Sequence, residues 1–250
     1  MAAESHVDNS ILNPENFITT NILGTFNILQ TSLEFFKGKN SENNFCFHHI
    51  STDEVYGSLE KNENAFTEHS KYKPNSPYSA SKAGSDHLVR AWQKTYGLPC
   101  IITYCSNNFG PFQHPEKFIP VVIINGILKN NIPIYGTGKN IRDWIYVEDH
   151  VEALISIMEK NLRDKTYLIG SNSEKENTET VDVICKVLDE VWDTSYSHKD
   201  LKFFVEDRLG HDFRYSINSQ LIQDEVKWKP KNDFFNGIQK TINWYLINKF

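Results

Sequence analysis

The sequence predicts an α/β fold built on a parallel sheet, with its chemistry at the carboxyl ends of the strands. Three observations predict it. The short aromatic run Phe45-Cys46-Phe47-His48-His49-Ile50-Ser51 is bounded by polar loops and reads as a buried strand. Ser76-Pro77 opens a helix that continues to about Tyr96, where Gly97-Leu98-Pro99 stops it. Cys100-Ile101-Ile102-Thr103-Tyr104-Cys105 is the next buried strand. Strand, helix and strand with short joins form a right-handed crossover, which makes the sheet parallel. Ligands of such sheets lie beyond the strand carboxyl ends, where the Thr52–Gly57 and Ser106-Asn107-Asn108 loops fall.

The remaining elements follow from periodicity and punctuation. Asn13-Pro14-Glu15 is a helix start, with Asn as N-cap, Pro in the first helical position and Glu in the first turn. Ile18, Ile22, Phe26, Leu29, Leu33 and Phe36 recur at spacings of three and four, the stripe of one amphipathic helix. Gly38 and the polar residues 39–44 end it. Residues 58–75 form a polar surface excursion. Beyond Phe109 the pattern gives a helix at 118–129 and strands near 132–135, 166–170 and 202–206. Further helices are expected near 149–160, 180–192, 219–225 and 233–247. Residues 172–179 read as a charged loop, and Gly136-Thr137-Gly138 as a turn.

Composition excludes several classes. The 250 residues are 39% hydrophobic and 13% aromatic, as in a soluble globular protein. No apolar run approaches the roughly 20 residues of a membrane span, and the first residues have neither a basic head nor an apolar stretch. A formal charge of −6 with no Lys/Arg block argues against nucleic acid as a partner. Cys46, Cys100, Cys105 and Cys185 form no CxxC pair and read as reduced thiols of a cytoplasmic protein. No zinc-spaced Cys/His set or other metal motif is present. Core or hydrogen-bonding roles are expected for His6, His48, His49 and His150.

The chemistry is concentrated in two motifs. Thr52-Asp53-Glu54 places a hydroxyl and two carboxylates after the first strand. Tyr78 and Lys82 lie four apart on the following helix and so share one side of it. An ammonium within reach of a phenol favours the phenolate and makes the tyrosine a base near neutral pH. Each motif alone is weak, because an acidic pair can be a solvated loop and a Tyr/Lys spacing can arise by chance. Together they occupy one edge of one sheet, which is the geometry of a site. Two carboxylates beside a hydride-transfer pair add an acid and a base that simple alcohol oxidation does not need. They suggest elimination of water.

An ordered series of motifs carries a resemblance along the whole chain. It comprises residues 2–8 (Ala-Ala-Glu-Ser-His-Val-Asp), 51–57, 76–82, 105–111, 115–117, 141–144 and 207–212. In these the chain resembles the dTDP-glucose 4,6-dehydratases, extended short-chain dehydrogenases/reductases with tightly bound NAD. It departs from the family pattern at Leu209, Phe109 and Phe118. It also contains no G-x-x-G-x-x-G turn among its 12 glycines. The resemblance therefore implies an N-terminally truncated Rossmann-type parallel sheet with a smaller C-terminal nucleotide-sugar-binding domain. Residues 1–111 would be the remainder of the dinucleotide-binding domain. Residues 112–250 would mainly bind the nucleotide sugar, with 142–170 returning to the first domain.

What the resemblance implies can be carried over residue by residue. Thr52, Asp53, Glu54, Tyr78 and Lys82 would be catalytic. Ala2, Ala3, Ser5, Thr20, Tyr78, Lys82 and Asn108 would border NAD. Ser5, Thr52, Asn107, Lys117, Phe118, Pro133, Tyr135, Arg142, Asn177, Asp207, Arg208 and His211 would border the nucleotide-diphosphate sugar. Arg142, Lys117 and Arg208 suit a diphosphate in an acidic protein. The implied activity is conversion of dTDP-glucose to its 4-keto-6-deoxy product, with UDP-glucose as the alternative substrate. Helices 14–36 and 77–96, with Leu23, Phe35, Leu88 and Trp92, would form a homodimer interface. Without a glycine turn, the 250 residues by themselves are expected to be an inactive fragment that does not bind NAD usefully.

Overall fold

A computed structural model describes residues 3–38, 45–192 and 195–248. Its first helical stretch is interrupted, where the hydrophobic stripe suggested one helix. A short α1 (Val7–Leu12) is capped by His6, whose Nδ1 accepts from Asn9 N at 3.3 Å. Pro14 then opens α2 (Pro14–Phe17), a π-helical segment spans Ile18–Leu23, and α3 covers Gly24–Gly38. The wider π turn rotates the stripe. Phe17, Asn21, Leu29 and Leu33 face inward, while Ile18, Leu23 and Phe26 are exposed. Asn13, expected as N-cap, makes no side-chain cap bond. Asn21 instead organises the segment: its side chain bonds Glu4 N and O at 2.9 and 3.0 Å and Ser81 Oγ at 2.9 Å.

The expected crossover is present. β1 (Phe47–Thr52) pairs in parallel with β2 (Cys100–Cys105), from Phe47 opposite Cys100 to Thr52 opposite Cys105. Between them, α4 (Pro77–Tyr96) starts at a capping box, in which Ser76 Oγ accepts from Ser79 N while Ser79 Oγ accepts from Ser76 N. It ends at Gly97 with φ 70°. Leu29, Leu33, Val89, Leu98, Ile102 and Tyr104 form one core between the helices and the sheet. The loop after β1 tightens into a 3₁₀ turn, Asp53–Tyr56, whose cap is Thr52 Oγ1 accepting from Glu54 N at 3.3 Å.

After the short β3 (Asn107–Phe109) the chain forms α5 (Phe118–Ile127), β4 (Ile132–Tyr135) and β5 (Ile141–Tyr146). It continues through α6 (Val147–Glu159), β6 (Lys165–Ile169), β7 (Glu174–Glu176) and α7 (Asn177–Val191). β8 (Lys202–Val205), α8 (Gln220–Val226) and α9 (Phe234–Asn248) complete it. β6 extends the first sheet in the order β1-β2-β6, while β3-β5-β7 and β4-β8 form two small sheets. Residues 172–179 are not simply a loop. Glu174–Glu176 pairs antiparallel with Ile141–Asp143, and α7 begins at Asn177. Side-chain partners hold this charged strand: Arg214 makes a two-pronged contact with Glu174 at 2.6 and 2.8 Å, and Ser216 adds a third bond at 2.7 Å. Arg214 also donates to the carbonyls of Glu60 and Glu63, tying the 58–75 excursion to the same place. A second core joins α5, α7 and α9 to β4 and β5.

Gly57 closes the 3₁₀ turn with φ 85° and ψ −159°, a conformation open in practice only to glycine. A Cβ there would lie 2.3 Å from the backbone oxygen of Lys73. Gly57→Ala is therefore expected to destabilise the fold by on the order of 2 kcal/mol or more, read by urea unfolding. An unchanged midpoint would contradict this account of the turn.

Candidate active site

The carboxyl ends of β1, β2 and β3 bring the two sequence motifs together. Asp53 is 1% exposed. Its Oδ1 accepts from Thr52 Oγ1 at 3.3 Å, while its buried Oδ2 has no hydrogen-bond partner. Burial first, then the charges of Glu54 and Asp143, raise its pKa well above the ordinary aspartate value. Glu54 is half-buried, and burial raises it to about 7 against the opposing charge of Arg142. Two adjacent carboxyls are thus set differently: one is held in its acid form, and the other titrates near neutrality.

Tyr78 and Lys82 are buried on α4 beside this pair. Burial and then the Glu54 charge push the Tyr78 phenol well above its ordinary value, while a hydrogen bond with Thr52 opposes them. The net shift of Tyr78 is upward, against the lowering expected from Lys82. Lys82 Nζ donates to the carbonyl of Ile50 at 2.9 Å, which engages one of its three N–H groups and leaves the ammonium one helical turn from Tyr78. Burial pulls Lys82 below its ordinary pKa.

A cavity of about 310 Å³ opens beside Glu54. Of the residues expected at the sugar nucleotide, Ser5, Asn107, Lys117, Phe118, Pro133, Tyr135, Arg142, Asn177, Arg208 and His211 line it. Thr52 and Asp207 do not. Thr52 lies with Asp53 and Tyr78, and Asp207 accepts from His211 Nδ1 at 2.6 Å and from Arg208 N at 2.9 Å. Each cation has its own support. Arg142 donates to the carbonyls of Ile141, Asp212 and Phe213 and stacks on Tyr215 at 4.3 Å. Lys117 donates to Ser5 O at 2.7 Å and Ser5 Oγ at 3.0 Å. Arg208 stacks on Tyr135 at 4.7 Å and pairs with Asp8 at 3.5 Å.

The residues expected at the cofactor are less gathered. Asn108 lines the cavity, its amide fixed by His150 Nδ1 at 2.8 Å and by Ser106 O at 3.1 Å. Ala3 and Thr20 are exposed, and Ala2 lies outside the described residues. Sequence reasoning missed Asp8, Gln113, Glu116, Trp144 and Tyr215 on the cavity wall. It also missed Asp143, whose carboxylate accepts from Ser171 and Ser173 and raises Asp53. For Tyr215 no local signal existed. Its bond to Asp212 Oδ2, at 2.6 Å, appears only in the fold.

A carboxyl whose folded pKa lies above its unfolded value holds a proton that the unfolded chain has lost. Its burial therefore weakens stability progressively as pH rises from the unfolded pKa toward the folded one. Asp53→Asn removes that dependence. Its melting temperature is expected to exceed the parent's by on the order of 2–4 °C at pH 8 and by less at pH 4. A gain that does not grow with pH would overturn the protonated state assigned to Asp53.

Known proteins resemble this chain in sequence and fold. A family model described as GDP-mannose 4,6 dehydratase matches residues 1–241. The dTDP-glucose 4,6-dehydratase of Salmonella typhimurium is 51% identical over 258 residues, spanning 99% of this chain and 72% of that protein. Among solved structures, the Streptomyces venezuelae dTDP-glucose 4,6-dehydratase DesIV, with NAD and TYD bound, superposes with TM-score 0.90 at 39% identity. It covers 99% of this chain and 72% of that one. The UDP-glucose 4-epimerase of Thermotoga maritima, at 21% identity and TM-score 0.87 over 99% of this chain and 76% of its own, shares the fold alone. On the identity and coverage of these relatives, this chain belongs to the dTDP-glucose 4,6-dehydratase family.

Proposed function

We propose that the cavity takes dTDP-glucose and that the side chains beside it remove water across C5 and C6. The product is the 4-keto-6-deoxy sugar, made by an NAD-dependent hydro-lyase with no net redox change. The observation that carries this reading is the buried Asp53/Glu54 pair, one carboxyl kept protonated and the other titrating near neutral pH. Tyr78 takes the proton of the C4 hydroxyl, and Thr52 hydrogen-bonds the same oxygen. Once C4 is a ketone the C5 proton is acidic, and Glu54 removes it. Asp53 gives its proton to the C6 hydroxyl, which leaves as water.

NAD, when bound, would supply the hydride chemistry at C4 and C6. Tyr78, Lys82 and Asn108 would hold its nicotinamide end, with Ala3, Ser5 and Thr20 nearby. The fit at this end rests on His150 Nε2, a buried atom at the same sheet edge with no partner among the described residues. Arg142, Lys117 and Arg208 would hold the sugar-nucleotide diphosphate, with Asn107, Phe118, Pro133, Tyr135, Asn177, Asp207 and His211 around the nucleotide. In this division of labour, residues 1–111 with 142–170 serve the cofactor and the rest of 112–250 serves the sugar nucleotide.

The test uses a polypeptide that carries a glycine-rich dinucleotide turn ahead of residue 1. Incubated with dTDP-glucose, it is expected to yield the 4-keto-6-deoxy sugar by NMR without consuming added NAD⁺. A C4 epimer alone, or stoichiometric NADH release, would refute the reading. Glu54→Gln is expected to block elimination while bound NADH still forms, whereas Tyr78→Phe impairs NADH formation itself. Each loss is on the order of 10²–10⁴-fold. Because Glu54 must be ionised to act, the rate should rise with pH through about 7. Normal turnover by Glu54→Gln would remove Glu54 from the mechanism.

The same reading extends to assembly and compartment. No helix among the described residues is long and apolar enough to cross a membrane, and the four cysteines are free, as suits a cytoplasmic enzyme. Leu23 is 52% and Phe35 48% exposed, and Ile28 shares the outer face of α3 with Phe35. We assign this face to a homodimer contact. Leu88 and Trp92 contribute less, since both are half-buried against the chain's own core. Sedimentation at micromolar concentration is expected to give a dimer that Leu23→Glu dissociates. A monomeric parent protein would rule this interface out.

A further inference from the structure

Asp86 lies on α4 with 0% of its surface exposed. Its carboxylate takes three hydrogen bonds from outside the helix. His49 Nε2 at 3.0 Å and Ser51 Oγ at 2.9 Å come from β1, and Tyr72 OH at 3.1 Å comes from the loop before α4. Tyr72 in turn meets Tyr104 OH of β2, which Arg90 reaches at 3.3 Å. The reaction described above uses none of these side chains.

Spacing ties this cluster to the site. Tyr78, Lys82 and Asp86 recur every four residues and share one face of α4. Lys82 Nζ holds the carbonyl of Ile50, the residue between the two β1 partners of Asp86. Residues 49–51 are thus gripped by two successive turns of one helix, directly before Thr52, Asp53 and Glu54. Charge adds a second link. Burial works against the Lys82 ammonium, and the Asp86 charge supports it. Cys105 is the other group whose charge acts on Lys82, and it supplies no anion near neutral pH. Cys105 from β2 is pushed up to about 12, His49 from β1 is pushed toward its neutral form, and burial raises Tyr56, Tyr72 and Tyr104. Arg90, one turn beyond Asp86, is a cation.

We propose that Asp86 is a positioning residue for the Tyr78–Lys82 pair, clamping β1 to α4 and providing the buried counter-charge of the Lys82 ammonium. A buried ammonium without such a partner is expensive, and removing the partner leaves it uncompensated. The charge state of Lys82 does not depend on the reaction assigned above. Its kinetic consequence does rest on that reading.

NMR titration of ¹³C-lysine-labelled protein, with the Lys82 Cε resonance assigned through Lys82→Arg, reads this charge directly. In the parent protein the midpoint is expected above about pH 8 despite burial. A midpoint at or below neutrality overturns the proposal, whether or not any variant folds. Asp86→Asn is expected to lower the midpoint by about one pH unit or more, and Asp86→Glu to restore it in part. Ser51→Ala, which removes a hydrogen bond and keeps the charge, should leave the midpoint in place. An Asp86→Asn protein that melts earlier with an unmoved Lys82 midpoint would make Asp86 a structural residue only and overturn the proposal. In the NAD-loaded enzyme a less charged Lys82 favours the neutral Tyr78 phenol. The acid limb of the C4 oxidation step, read by single-turnover NADH absorbance and separate from the Glu54 limb near pH 7, should therefore move to higher pH in Asp86→Asn. A moved Lys82 midpoint with an unmoved acid limb supports the counter-charge and overturns the role given to Tyr78.

Discussion

The parallel register of β1 against β2 is the constraint on which the site depends. With Thr52 opposite Cys105, the two strands end at the same level. The 3₁₀ turn carrying Asp53 and Glu54 therefore opens beside Ser106, Asn107 and Asn108. The helix that connects the strands must cross the sheet in one hand only, which brings its first turns, with Tyr78 and Lys82, to that same edge. A slip of one residue would turn His49 and Ser51 to the wrong face and lose the hydrogen bonds that fix the strand. Chemistry and register are here a single requirement.

Electrostatics follow from that placement. A chain of net charge −6 gathers Lys117, Arg142 and Arg208 around one cavity. It holds Arg142 by carbonyl groups and an aromatic ring. Those contacts orient the guanidinium without neutralising it, so its charge remains available to an anionic ligand and to Glu54. The two carboxyls differ because their neighbours differ. Burial raises both; Glu54 and Asp143 then raise Asp53 further against the charge of Arg142 alone, whereas Arg142, Lys117 and Arg208 together temper Glu54 against Asp212.

Much of this was legible in the chain itself. The crossover, the capped helix at Ser76 and the two motifs could be read because each depends on neighbours in sequence. Most residues matched by family resemblance converge on the cavity. What could not be read depends on distant partners. β7 is short and charged, and it exists because Arg214 and Ser216 bond Glu174 from elsewhere in the chain, while Asp143 of β5 accepts from Ser173 beside it. The π-helical turn was hidden because the stripe from Ile18 to Phe36 fits an ordinary helix, and only the pull of Asn21 toward Glu4 and Ser81 shows why it is broken. Lys82 looked like a partner for Tyr78 by spacing, yet a backbone carbonyl of β1 is its nearer acceptor.

The unmatched oxygen of Asp53 bears on turnover. Oδ2 is buried with no partner among the described residues, so a ligand hydroxyl that reaches it gains a contact there. An unpaired buried polar group costs about 1–3 kcal/mol. In the proposed reaction the hydroxyl that meets Asp53 departs as water, and the sugar left behind carries a methyl group at that position. The product therefore returns the carboxyl to its unmatched state and is held less tightly than the substrate. The same atom that receives the reacting hydroxyl favours release of what has been made, so relief from product inhibition is built into the acid itself.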